Sequence, residues 1–403
     1  MPLRCINELY GTPTPNVVQI NIIAMIIPTR KELYNMFGWR TKRHLVVIES
    51  DDWGTIRMPS REVYEEFLRR GIRVDRDPYC RYDNLAAKHD LENLFEVLQS
   101  VKDKNGHPAV LTANTLSANP VFDKIKESEF AQYYFEPFTE TLKRDAAHAD
   151  AFEMWKEGMA AGVFHPQSHG REHLYVKKWL QTLRNGDKVT RTAFDLGTWG
   201  LTAHVDPSIN EYYMGAFNSS EDADIREFEV IIDDALRMFK DIFGFECKSF
   251  TPTTYEWSPK IEPCLIAHGV KYVQCRFQQT IPLDDDQTKK ISYRGFQGTK
   301  TKAGLIRTFR NCFWEPSTDA NYNWYSDCLK RIEIAFKWGK AANICAHRLN
   351  FIGSIDSKNT DRTLPEFKQL LQEIVKRWPD VEFVTSDQLG EIIENSGQHL
   401  WKL

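Results

Sequence analysis

None of the eight cysteines (positions 5, 80, 247, 264, 275, 312, 328 and 345) pairs with another in a CxxC motif. That removes zinc-ribbon and thioredoxin-type readings. Several sit in apolar runs such as Ile344-Cys345-Ala346, so buried free thiols of a reducing compartment are expected. Neither charge sign dominates. A net charge of −4 over 403 residues offers no electrostatic footprint for nucleic acid. No long membrane-type run is present. The apolar stretch 17–27 is about 11 residues, whereas a spanning helix needs about 20. It has neither a charged leading region nor a small-residue cleavage site. A cytoplasmic chain with no stable membrane insertion is therefore expected. Residues 1–40 read as an N-terminal extension, with Met25 or Met36 as alternative starts, and 41–403 as a single domain. There is no internal repeat and no low-complexity tract.

What is present suits a large core, with 42% hydrophobic residues. Strand-like runs at 45–49, 109–113, 163–166, 248–252, 272–275, 343–347 and 382–385 alternate with helical periodicity at 61–70, 91–101, 222–243, 322–338, 364–377 and 387–394. Such alternation gives a parallel sheet with crossover helices. About seven strands, with candidate chemistry near their C-terminal ends, predict an α/β barrel, closed or nearly so. A doubly wound open sheet is the runner-up. The stretches 115–160, 175–220 and 277–305 lack strand alternation and are read as long loop insertions, with Asp284-Asp285-Asp286 as exposed charge.

Two segments carry the chemistry. The run His44-Leu-Val-Val-Ile-Glu49 leads into Ser50-Asp51-Asp52-Trp53-Gly54. Further on stands His165-Pro-Gln-Ser-His169-Gly-Arg-Glu-His173. His169 and His173 are four apart, a spacing that puts both on one face of a helical turn and is a known zinc-ligand spacing. One carboxylate and two imidazoles make a three-ligand shell with an open position, the form of a hydrolytic metal. The spare carboxylate can act as base, because neighbours in extended chain point opposite ways. His165 reads as a supporting residue on the preceding strand. His347 closes the run 341–347, and its unperturbed pKa near neutrality suits a general acid.

In their order along the chain these segments resemble the motifs of the polysaccharide deacetylase family. The series is Asp51-Asp52, His169-Gly-Arg-Glu-His173, Phe250-Thr-Pro252-Thr-Thr-Tyr255, Arg310-Asn-Cys-Phe-Trp314-Glu315 and Ala346-His347. The resemblance spans about residues 44–390. It implies a distorted (β/α) barrel and a divalent cation held by Asp52, His169 and His173, zinc first, with cobalt, manganese, nickel and iron compatible. It further implies Asp51 as general base, His347 as general acid, and an acetylated carbohydrate as substrate, N-acetyl before O-acetyl. Pro252, Tyr255, Trp257, Arg310 and Trp314 are the candidates to bind it, with a backbone N–H near Tyr255 for the oxyanion. Two departures mark a divergent branch. Gly170 stands where the family has Ser or Thr, and Ser249-Phe250-Thr251 stands where it has an arginine that orients the base. Arg276 or Arg310 is expected to supply that charge from another strand. Rival readings are an amidase acting on a non-sugar C–N bond and a degenerate barrel that binds carbohydrate without catalysis.

Overall fold

The computed structural model describes residues 29–206, 209, 213–283 and 290–398. The apolar stretch 17–27 and Asp284-Asp285-Asp286 lie outside them. The core is one parallel sheet of β1 (Leu45–Trp53), β2 (Leu111–Leu116), β3 (Phe164–Gly170), β4 (Ser249–Phe250), β5 (Tyr272–Cys275), β6 (Ile306–Phe309), β7 (Cys312–Phe313), β8 (Ala342–His347) and β9 (Glu382–Phe383). The order is β6-β5-β4-β3-β2-β1-β8-β7, with β9 paired to the start of β1. The two edge strands, β6 and β7, are consecutive in the chain, separated only by Arg310 and Asn311. The segment 306–313 pairs with β5 at its start and with β8 at its end. One continuous stretch therefore occupies both edges and draws the sheet round into a distorted (β/α) barrel of seven staves.

The seven are not the seven expected. The stave at 306–313 was absent from the sequence reading, and 382–385 supplies only a two-residue strand outside the ring. Two of the supposed loops contain antiparallel pairs, Ala118–Pro120 with Phe135–Pro137 and Gln278–Pro282 with Lys290–Arg294. A third contains the helices Val176–Arg184 and Lys188–Asp195. The helix Asp222–Phe243 matches its expected limits, because Gly244 takes φ 78° and its N–H closes onto the Lys240 carbonyl at 2.8 Å.

Alternation along β1 explains what the barrel holds. Val46 and Ile48 join the outer core beneath the helices. Leu45 and Val47 face the base, where Tyr272, Ile306, Leu389 and Ile393 join them. The helix Ser386–Glu394 stops this end. Gly390 lies so close to the Tyr272 ring that an added Cβ would overlap it. Gly390→Ala is accordingly expected to cost about 1–3 kcal/mol, measured as a lowered urea midpoint at unchanged m-value. Residues 37–39 are pinned to the same end, where Lys340 Nζ donates to the carbonyls of Phe37 (2.8 Å) and Trp39 (2.5 Å). Among the described residues no helix is long and apolar enough to cross a membrane, and the seven described cysteines are all free.

Candidate metal centre

Above the apolar base, inward positions turn polar. Glu49, Asp51, Asn114, Ser249, Gln274, Arg310 and Asn343 are all buried. Burying such groups is tolerable only when each finds partners, and here they satisfy one another. Asn114 Nδ2 donates to Asp51 Oδ1 (2.7 Å) and Gln274 Oε1 (2.8 Å), and Gln274 Nε2 returns to Asn114 Oδ1 (2.7 Å) and Ser249 Oγ (3.1 Å).

The carboxylate pair sits at the C-terminal end of β1, the end where barrel enzymes carry their sites. The two side chains do not diverge by plain strand alternation. Asp52 adopts φ 71°, and the register with β2 slips between Ser50 and Trp53. A left-handed non-glycine residue is uncommon and stores strain. Its effect here is to turn Asp52 toward β3 while Asp51 stays in the barrel axis.

His169 and His173 do not share a helical turn. His169 is the penultimate residue of β3, and the chain bends through Gly170 at φ 111°. An L side chain rarely adopts that conformation, which accounts for glycine at this position. The bend returns His173 beside His169, with ring centroids 5.2 Å apart. Asp52 Oδ1 lies 3.7 Å from His169 Nε2 and 3.8 Å from His173 Nε2. Ligands on a tetrahedral ion about 2.1 Å away would lie roughly 3.4 Å apart, so little adjustment is needed to close the shell. The donor chemistry also fits. His169 Nδ1–H donates to the Thr251 carbonyl (2.6 Å), which leaves the Nε2 lone pair facing Asp52. Burial, reinforced by the Arg57 charge, lowers His173 to about 3 against the pull of Asp52, so its imidazole is neutral. Burial opposes the charge on Asp52 too, but positive charges around it, His347 and Arg57 among them, outweigh it and hold the carboxyl well below its usual range. An anionic carboxylate and neutral imidazole are the states a cation requires.

Of the two arginines considered, Arg310, at the seam between β6 and β7, is the one that meets Asp51. Its Nη1 donates to Asp51 Oδ2 (2.6 Å) and Tyr255 Oη (2.5 Å), and its Nη2 to Asp51 Oδ1 (2.8 Å) and Gln274 Oε1 (2.7 Å). Its Nε donates to Glu49 Oε2 (2.6 Å). Burial disfavours the Asp51 charge, yet this clamp overrides it and keeps the carboxyl far below the usual range. Arg276 instead lies over the Tyr255 ring, 4.5 Å from its centroid.

On the other side of Asp51, at the end of β8, His347 Nε2 lies 3.9 Å from Asp51 Oδ2, and its Nδ1–H donates to Glu315 Oε1 (2.6 Å). Burial works against the imidazolium, but Glu315, Asp51 and Asp52 together raise His347 to about 10. Glu315, Cys345 and His347 form a second cluster of metal-type donors. The direct contact between His347 and Glu315 occupies the space an ion would need, and Asn350 takes the other Glu315 oxygen (2.7 Å).

Comparison with known proteins adds little. No protein-family model matches the chain, and no curated protein does. Among solved structures, a protein assigned as a polysaccharide deacetylase from Mycobacterium smegmatis has a TM-score of 0.44 at 12% identity, covering 91% of this chain and 96% of that one. Puue allantoinase gives 0.41 at 10% identity, with 90% and 94% covered. The 4-alpha-glucanotransferase from Thermococcus litoralis gives 0.44 at 10% identity, with 90% of this chain covered but only 41% of that one. Likenesses this distant do not say what the chain does. The barrel described above stands on its own hydrogen-bonded register.

The expected site residues thus separate. Asp51, Asp52, His169, His173 and His347 converge. Tyr255 and Arg310 line a cavity of about 640 Å³ together with Arg276, Phe277 and Phe313, and none of the five converging residues is in its wall. Arg310, however, is committed to Asp51 and Glu49 and is not free for a sugar. Trp314 is enclosed between Phe351 and Phe367, with centroids at 5.6 and 4.7 Å, and Trp257 is likewise wholly buried. Neither offers a face for stacking. Pro252 is buried at the turn after β4, and its carbonyl accepts the Tyr255 N–H (3.2 Å), so that particular N–H is taken. His165, on β3, pairs with Asp387 (3.2 Å). Glu49 and Asn114, which complete the clamp, were not among the expected site residues, because Glu49 reads as the end of a strand run and Asn114 as one polar residue among threonines. Glu315 was within reach, lying next to Trp314 in a quoted motif.

Proposed function

We propose that the chain is a metal-dependent hydrolase that removes acetyl groups from a carbohydrate, N-acetyl in preference to O-acetyl. The observation that carries this reading is the convergence of Asp52, His169 and His173 with Asp51 and His347 flanking the same point. Two nitrogens and one oxygen favour zinc, with cobalt, manganese, nickel and iron also compatible. Such a cation, held by these three residues, would polarise the acyl oxygen and acidify water. Asp51 accepts the proton of the attacking water. Arg310 and Asn114 fill Oδ1, and Arg310 takes one lone pair of Oδ2, so the remaining Oδ2 lone pair is the receiving site. Because the clamp keeps Asp51 ionised, the base is ready throughout the working pH range. The water oxygen bonds to the acyl carbon, the C–N bond breaks, and His347 Nε2 delivers its proton to the departing amine. An amide needs that step far more than an ester does, and a strongly raised His347 suits it.

A barrel that only bound sugar would have no use for a clamped base and a carboxylate-backed acid 3.9 Å apart. Release of acetate from N-acetylglucosamine oligomers by zinc-loaded protein is the direct test, and no release from N- or O-acetylated glycans would refute the reading. The pH profile gives a second check. Activity should fall as pH rises through the His347 pKa, because the acid is then deprotonated. Glu315→Gln removes the largest influence raising that pKa. The alkaline limb of kcat/KM, which reports the free enzyme, should therefore move to lower pH. An unmoved limb would exclude His347 as the acid.

A further inference from the structure

Beside the candidate metal centre lies a guanidinium that the reaction above does not use. Arg57 follows β1 and is only 4% exposed. Its Nη1 reaches the sulfur of Met214 (3.7 Å), and its Nε is buried with no hydrogen-bond partner. The guanidinium lies between two rings, 5.1 Å from the centroid of Tyr79 and 5.2 Å from that of Trp199. Tyr79 meets His347 edge-on at 5.4 Å, and Trp199 stacks with His173 at 6.2 Å. Arg57 thus spans the mouth from the acid to a metal ligand. Room for it is kept by Gly200, where a Cβ would come within 2.7 Å of Nη1.

Among the described residues no carboxylate lies within ion-pair distance of Arg57. Asp77, Asp83 and Asp52 act on it through space only. Asp77 already takes the Tyr79 N–H (2.9 Å) and the Thr202 hydroxyl (3.0 Å), Asp83 takes Arg348 Nε (2.9 Å), and Asp52 belongs to the metal shell. Three other buried arginines do have carboxylate partners, Arg171 in Glu172, Arg310 in Asp51 and Arg348 in Asp83. Burying a charge without one is unfavourable, and a planar guanidinium between aromatic walls presents its edge donors in the fork that suits a carboxylate.

We infer that Arg57 receives a carboxylate carried by the substrate, so that the ligand class is an acidic sugar rather than a neutral one. This rests on the carbohydrate reading of the site.

The test is calorimetric titration of the zinc-loaded full chain with glucuronate, glucose 6-phosphate and glucose, repeated after chelation so that binding to zinc is not counted. Glucuronate should bind about tenfold or more tighter than glucose in both states, as expected for a charge-assisted contact. Arg57→Met should erase the preference, while Arg57→Lys should keep part of it. A purely structural role would lower stability and leave the affinity ratio alone. Equal affinities for glucuronate and glucose in the wild type, or an unchanged ratio in Arg57→Met, would overturn the inference. Tighter binding of glucose 6-phosphate would overturn the carboxylate assignment. The wild-type ranking decides the matter even if Arg57→Met fails to fold. An Arg57-dependent preference without acetate release from any substrate would sink the hydrolase reading and leave the anion site standing.

Discussion

Asp51→Asn should retain the metal and lose turnover by about 10²–10⁴-fold, the usual contribution of a positioned general base. The variant keeps the side chain's shape, but its amide cannot accept the proton, and its NH₂ faces one arm of Arg310 instead of an oxygen. The bidentate contact at 2.6 and 2.8 Å is thereby halved. Some stability is lost with it, so metal content and melting temperature must accompany the rate. Full metal with a collapsed kcat assigns Asp51 to proton transfer. An active variant would remove it from that role.

The second large effect is on the metal itself. Asp52→Ala or His169→Ala takes one of three ligands from a shell whose nearest separations are 3.7 and 3.8 Å. After dialysis both variants should hold almost no metal and show no measurable turnover, whereas the wild type holds about one ion per chain. Asp52 complicates the choice of substitution, because its φ of 71° is costly for alanine. Asp52→Asn tolerates that backbone and removes only the charge, so it separates lost ligation from lost local structure. Wild-type metal content in Asp52→Ala and His169→Ala would refute the ligand assignment.

The sequence revealed the staves whose apolar residues run together, such as 45–49 and 343–347. It concealed the one at 306–313, because Arg307 and Arg310 break the pattern and Arg310 points into a polar interior. A barrel lined by Glu49, Asn114, Gln274 and Asn343 hides its own periodicity, since inward positions there are not hydrophobic. The candidate ligands were legible as a carboxylate pair and two spaced histidines, with the choice of Asp52 over Asp51 resting on the family resemblance. The way they converge was not. A helical turn was expected at 169–173, and the chain instead uses a positive φ at Gly170, just as a positive φ at Asp52 replaces simple alternation. The aromatic candidates fared worst. Trp257 and Trp314 carry no mark in the sequence to tell a core tryptophan from one that stacks on sugar, and packing made core of both. Arg57, with no motif around it, became visible only once Tyr79 and Trp199 were seen on either side of it.

The most direct test is a crystal of the zinc-loaded protein measured on both sides of the zinc absorption edge. One anomalous peak is expected at bonding distance, about 2.0–2.2 Å, from Asp52 Oδ1, His169 Nε2 and His173 Nε2 together. A peak at Glu315, Cys345 and His347 instead, or none at the three ligands in protein shown to contain zinc, would contradict it.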